Sequence, residues 1–136
     1  MSYDRPNRIP YYFAHDFGDA DQTYSIIGPK GKKGRLWDYG VHGVTEVFNG
    51  SSVTPKISIG STSDADAYGD EIDLNALADN HSTSARSLYK EEAAGFAALM
   101  IERNIAADAE VVVHIVAATG SPTGQGIAFA IIDWDH

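Results

Sequence analysis

The sequence predicts an all-β chain, a jelly-roll-like antiparallel β-sandwich with an extended N-terminal arm, and three observations carry that expectation. About seven or eight short runs rich in β-branched and aromatic residues are separated by turn clusters of Gly, Pro, Asn and Ser. The two strongest runs, "EVVVHIVAAT" and "GIAFAIIDW", are apolar on consecutive residues, as in strands covered on both faces. Nothing repeats at a fixed period, which argues against a propeller or a solenoid.

Taken in order, residues 1–10 carry Pro6 and Pro10 with Arg5 and Arg8 between them and show no periodicity, so they read as an extended arm. Residues 11–136 read as one domain, since a chain of 136 residues has the usual single-domain size. "YYFAHDF" opens the body as a strand with Tyr11, Phe13 and His15 on one side and Tyr12, Ala14 and Asp16 on the other. "TYSIIG" is a second short strand, closed by Gly28 and Pro29. "GPKGKKGR" then gathers Lys30, Lys32, Lys33 and Arg35 on a glycine-rich loop, without the spacing of a phosphate-binding loop. From Leu36 to Phe48 the pattern is a long, bent strand or two strands meeting, because Gly40 and Gly43 inside it suggest a bulge or a close backbone approach.

"NGSS" is a turn, and Ile57 and Ile59 alternate with Lys56 and Ser58 in the next strand. The acidic stretch "GSTSDADAYGDEID" reads as a solvated surface connection. "LNALADN" allows one helical turn, and "STSARSLY" has the content of a short edge strand. "KEEAAGFAALMIERN" divides between a short helix and a strand near Ala97 to Arg103, because Gly95 weakens its helical character. The final two runs, joined by "GSPTGQ", predict a β-hairpin.

A net charge of −9 opposes a polyanionic partner, because nucleic-acid binding draws on clustered Lys and Arg. The absence of cysteine removes disulfides, thiolate metal sites and cysteine nucleophiles. No apolar run approaches the roughly 20 residues of a membrane span, and the first residues lack the apolar centre of an export signal. No membrane role is expected.

The spacing of polar residues fits no common metal or nucleophile motif. Aligned on Asp64, an EF-hand loop would need acidic ligands where Tyr68 and Asn75 stand, so two ligands are lost. His42 and Glu46 have the interval of a cupin metal motif, but Gly40 occupies the other histidine's place and Ile127 a later ligand position. G-x-S-x-G does not occur, and the five histidines are scattered. The sequence therefore predicts no catalytic residue, no metal site and no cofactor, and no enzymatic activity.

The order of an N-terminal arm, a strand ending "ISIG", the loop "STSDADAYGDEIDL" and the closing "IAADAEVVVHIVAATGSPTGQGIAFAIIDW" resembles the small capsid decoration, or cement, proteins of tailed bacteriophages. That resemblance covers much of the chain and lies in layout. It implies a structural virion protein, often a homotrimer, that sits on the outer capsid surface and bridges subunits of the major capsid protein. Candidate partner contacts are the arm and its continuation, Arg5, Arg8, Tyr11 and Tyr12, and the basic loop, Lys30, Lys32, Lys33 and Arg35; Arg and Tyr are enriched at interface anchors. The competing expectation is a carbohydrate- or receptor-binding sandwich, as in a fibre or tail component, using Trp37, Tyr39 or Tyr68 as stacking platforms.

Overall fold

A computed structural model describes residues 7–75, 77, 81–86 and 99–135. Among the described residues nine strands follow one another: β1 (Arg8–Asp16), β2 (Gln22–Ile26), β3 (Gly34–Asn49), β4 (Lys56–Gly60), β5 (Gly69–Asp73), β6 (Thr83–Ser84), β7 (Asn104–Ile105), β8 (Val111–Val116) and β9 (Thr123–Trp134). One sheet has the order β1-β9-β3-β6, with β7 also on β3; the other has the order β2-β8-β4-β5. Every pairing is antiparallel. The chain is all-β, and its two sheets form a sandwich.

Strand alternation explains the core. On β9 the inward residues Ala128 and Ala130 are small, and the larger Phe13, Tyr11, Val41 and Tyr39 stand opposite them on β1 and β3. Large against small across a ladder lets the layers interdigitate. From the other sheet come Ile57, Ile59, Val111, Val113 and Ile115, each at most 2% exposed. Phe13 stacks on Tyr24 with ring centroids 4.7 Å apart, which places the edge strand β1 over the edge strand β2.

The expected long bent strand is present as β3, with register shifts between Leu36 and Asp38 and again beyond His42. Gly43 takes φ +59, a left-handed conformation that a side chain would disfavour, and it lies at the second shift.

Three sequence expectations are revised and a fourth holds in part. The arm is shorter than residues 1–10, because Arg8 to Pro10 already pair with Asp133 to Ile131 and Ile9 packs against the core. The final two strands are not a hairpin: β8 pairs with β2 and β4, whereas β9 pairs with β1 and β3. Their connection is tied to other parts of the chain, Ala118 N–H to Phe17 C=O at 2.7 Å and Ser51 N–H to Gly120 C=O at 3.0 Å, and so carries the chain from one sheet to the other.

The acidic stretch, in turn, is only partly a connection, since Gly69–Asp73 forms β5 against β4. Its first half folds back over the outer side of β4. Ser58 there is 3% exposed and its hydroxyl donates to Ala65 C=O at 2.9 Å. Gly60 carries no Cβ where the Asp64 and Ala65 backbone passes, so nothing larger fits under this flap. Finally, of the expected edge strand over "STSARSLY", Thr83 and Ser84 pair with Val41 and Gly40, and residues 87–89 lie outside the described residues. Most of the segment divided between helix and strand, residues 90–98, lies outside them as well. Among its described residues Met100 bridges Gly69.

Candidate partner-binding face

The outer face of the first sheet gathers aromatic, aliphatic and arginine side chains. β9 turns Ile127, Phe129 and Ile131 to that side, opposite its core-facing alanines. Register puts Tyr12 beside Phe129 on one flank and Gly40 on the other. His42 packs its ring edge-to-face on Tyr12 at 5.2 Å and on Phe129 at 5.6 Å. With Ile131 and the short wall Ser82 to Ser84 these residues line a cleft of about 250 Å³. Tyr12 is 57% exposed. The His42 Nε2 is buried and makes no hydrogen bond among the described residues.

Beside the cleft, the first irregularity of β3 puts Trp37 between two ladder positions, Leu36 and Asp38. The guanidinium of Arg8 lies 4.3 Å from the Trp37 ring centroid and that of Arg86 4.1 Å. Such cation–π contacts hold planar guanidiniums in fixed orientation. Arg8 also grips Asp133 with two bonds, Nε to Oδ1 at 2.7 Å and a terminal nitrogen to Oδ2 at 2.9 Å. The bond to Asp133 raises the Arg8 pKa further. Arg86 Nε donates to Trp37 C=O at 2.6 Å, and Arg103 Nε donates to Leu36 C=O at 3.1 Å. Burial first, then the charges of Arg35 and Arg86, push the Arg103 pKa down. Asp38 lies beneath this cluster, 6% exposed. Burial raises its pKa against the opposing bonds from Arg86 N–H, the Ser84 side chain and Tyr39 N–H.

The anticipated contact residues divide. Arg8 and Arg35 come together, both in register opposite Asp133. Tyr12 faces outward, but Tyr11 faces the core and its hydroxyl accepts the Trp134 Nε1–H at 2.9 Å, so Tyr11 is structural. Lys30, Lys32 and Lys33 sit on a tight turn, closed by Lys32 N–H to Pro29 C=O at 3.1 Å and pinned by Gly31 N–H to Asp108 Oδ1 at 2.8 Å. Arg5 lies outside the described residues. His42, Phe129, Ile131, Arg86 and Arg103 were not anticipated as contacts. The doubly apolar pattern of β9 pointed to the outward residues; Arg86 and Arg103 carried no signal, because their meeting depends on elements far apart in sequence.

The anticipated stacking platforms fare differently. Tyr39 is fully buried, with its hydroxyl donating to Asp70 C=O at 2.6 Å and lying 3.1 Å from Leu99 C=O. Tyr68 is half-buried and packs against the core. Trp37 carries the two guanidiniums.

In the acidic flap, a hydrogen bond that protonated Asp66 gives to Asp64, followed by desolvation and the charges of Asp64 and Asp70, raises the Asp66 pKa. Thr62 N–H donates to Glu110 Oε1 at 2.5 Å, and with the Thr62 hydroxyl it lowers the Glu110 pKa. His114 Nε2 lies 2.7 Å from Ser61 C=O. Among the described residues no three His or acidic side chains converge as metal ligands. The cupin-spaced pair is divided: His42 faces outward, and Glu46 accepts the Gly124 N–H at 2.8 Å. No known protein family, curated protein or solved structure matches the chain.

Proposed function

We propose that this protein is a structural virion component that decorates the outer surface of a phage capsid and stabilises it by bridging subunits of the major capsid protein. The observation that carries the reading is the outer face of the first sheet. It sets a half-exposed aromatic cleft, Tyr12, His42 and Phe129, beside an Arg8–Trp37–Arg86 stack. Aromatic and arginine anchors grouped around an apolar centre are the composition of a protein contact.

The strand order gives a second support. Most consecutive strands change sheet, the exceptions being β4 to β5 and β6 to β7, the first and last strands pair, and β1-β9-β3-β6 stands against β2-β8-β4-β5. We read this order as jelly-roll-like wrapping, an architecture used by viral capsid and lectin domains. Fold does not fix function, so the face carries the argument. Binding of such a protein to assembled capsids only, not to free subunits, stabilises the shell by mass action.

The test is to add the purified protein to expanded empty capsids that lack it. Occupancy of fixed lattice sites and a raised capsid melting temperature support the reading; no binding at micromolar concentration overturns it. Phe129→Ser and Trp37→Ala should each weaken attachment at least tenfold.

A second reading is a carbohydrate-binding module, favoured by the hydroxyl rim of Ser82, Thr83 and Ser84 around the aromatic cleft. Saturable glycan binding lost in Tyr12→Ala, without any capsid binding, would replace the first reading with the second.

A further inference from the structure

The free edge of the first sheet has a hydrogen-bonding row that is complementary to itself. Trp134 N–H donates to Asn7 C=O at 3.0 Å and Phe17 N–H to Gly124 C=O at 2.8 Å, one at each end of β1. Both fall in the register that runs from Arg8 opposite Asp133 to Asp16 opposite Gln125. In an antiparallel ladder the bonds use every second residue. The odd-numbered residues of β1 therefore bond to β9, and the backbone groups of Arg8, Pro10, Tyr12, Ala14 and Asp16 point away from the sheet, with the Asp16 C=O taken by Asp19 N–H at 3.2 Å. Among the described residues no strand lies on that side. Pro10 fits this parity, since its missing N–H falls where the β1–β9 ladder needs no donor.

We propose that β1 pairs antiparallel with β1 of a second copy of this chain, about a two-fold axis at Tyr12. In that register Tyr12 faces its own counterpart and each donates to the other. Ala14 N–H of each copy donates to Pro10 C=O of the other, and Asp16 N–H to Arg8 C=O. Pro10 offers no donor to the partner's Ala14 C=O. Within each chain, however, the Tyr24 hydroxyl donates to that same C=O at 3.5 Å, so the gap left by the proline is already served. Arg8 of each copy faces Asp16 of the other, opposite charges at both ends of the pairing, while Arg8 keeps its bonds to Asp133.

The register is specified. Moving the axis to Pro10 would set two donor-less residues opposite each other, and moving it to Ala14 would set Asp16 opposite Tyr12. Tyr12, 57% exposed, stands at the axis, where paired side chains are about 5 Å apart. The contact is isologous, so it closes at two copies and protects a long edge from open-ended association. It does not depend on the capsid reading.

Isolated protein, without capsid, tests the pairing by light scattering and sedimentation across a concentration range. A dimer is expected. Tyr12→Pro removes an outward N–H and no bond within the fold, so it should remain folded by circular dichroism and weaken the dimer at least about tenfold.

An independent arm uses the absence of native cysteine. Tyr12→Cys should form an intermolecular disulfide under mild oxidation. Ala14→Cys should not, because its counterpart is displaced by four residues, about 13 Å. A monomer at all concentrations, a trimer, a dimer unaffected by Tyr12→Pro, or equal cross-linking at positions 12 and 14 would each overturn the pairing. None of these outcomes bears on whether the protein attaches to capsids.

Discussion

Replacing Tyr39 by Phe isolates a single hydroxyl that ties the two sheets together. Tyr39 sits on β3 with no exposed surface, and its hydroxyl donates to Asp70 C=O of β5 at 2.6 Å while facing Leu99 C=O at 3.1 Å. Burial, followed by the charges of Asp70, Asp38 and Asp66, raises the phenol pKa. The donor therefore persists through neutral and mildly alkaline pH. The substitution keeps the ring, so it opens no cavity of consequence and the cost is polar. A net hydrogen bond is worth about 1 kcal/mol, and stranding the buried acceptor adds about another, for a total of roughly 2 kcal/mol. For a domain of this size that corresponds to a melting point lower by about 6–10 °C. Urea unfolding followed by tryptophan fluorescence is the assay. The slope should be unchanged, because the area exposed on unfolding is unchanged. A loss below about 0.5 kcal/mol would refute the assignment of this hydroxyl as an inter-sheet tie.

Two further outcomes follow from groups near the arginine cluster. Asp38 has a folded pKa above its unfolded value. The native state therefore binds this proton more tightly, and the destabilisation from its buried charge is fully present above the folded pKa and relieved as pH falls through it. Measured as urea midpoints between pH 7 and pH 4, wild type should gain stability relative to Asp38→Asn on acidification; a flat or opposite trend would contradict the burial argument. Deleting residues 1–10 removes the Arg8–Asp133 pair, the packing of Ile9 and the Asn7–Trp134 bond. A loss of about 2–4 kcal/mol is expected, and an unchanged unfolding midpoint would show that β1 effectively begins at Tyr11.

What the sequence revealed was local. Alternation from Tyr11 to Asp16 gave the inward and outward faces of β1 correctly, because strand geometry acts on each residue independently. Gly43 announced the bend in β3, and Gly40 the close approach of the Thr83 and Ser84 backbone. The error over β8 and β9 was of another kind. Gly120, Pro122 and Gly124 signal a reversal, but the sheet that receives the next strand is decided by distant groups such as Phe17 and Ser51. Ser58 looked like a solvent-facing alternate, yet the flap over β4 buries it, and the only local trace was Gly60. At the candidate face, Tyr12, Arg8 and Arg35 were legible as anchor types. The arginine cluster around Trp37 was not, since Arg86 and Arg103 are brought to it by tertiary pairing.

The central place of β9 has a consequence for synthesis. β9 separates β1 from β3, and Arg8 lies opposite Asp133 across nearly the whole chain. A ribosome would therefore synthesise β1 and β3 well before the segment that joins them in the first sheet exists. Non-local pairing of this kind folds slowly and leaves strand edges open in the meantime. A message truncated before Thr123 would yield a chain able to assemble the second sheet's ladder but with no middle strand for the first, and such a product should be captured by proteases instead of accumulating.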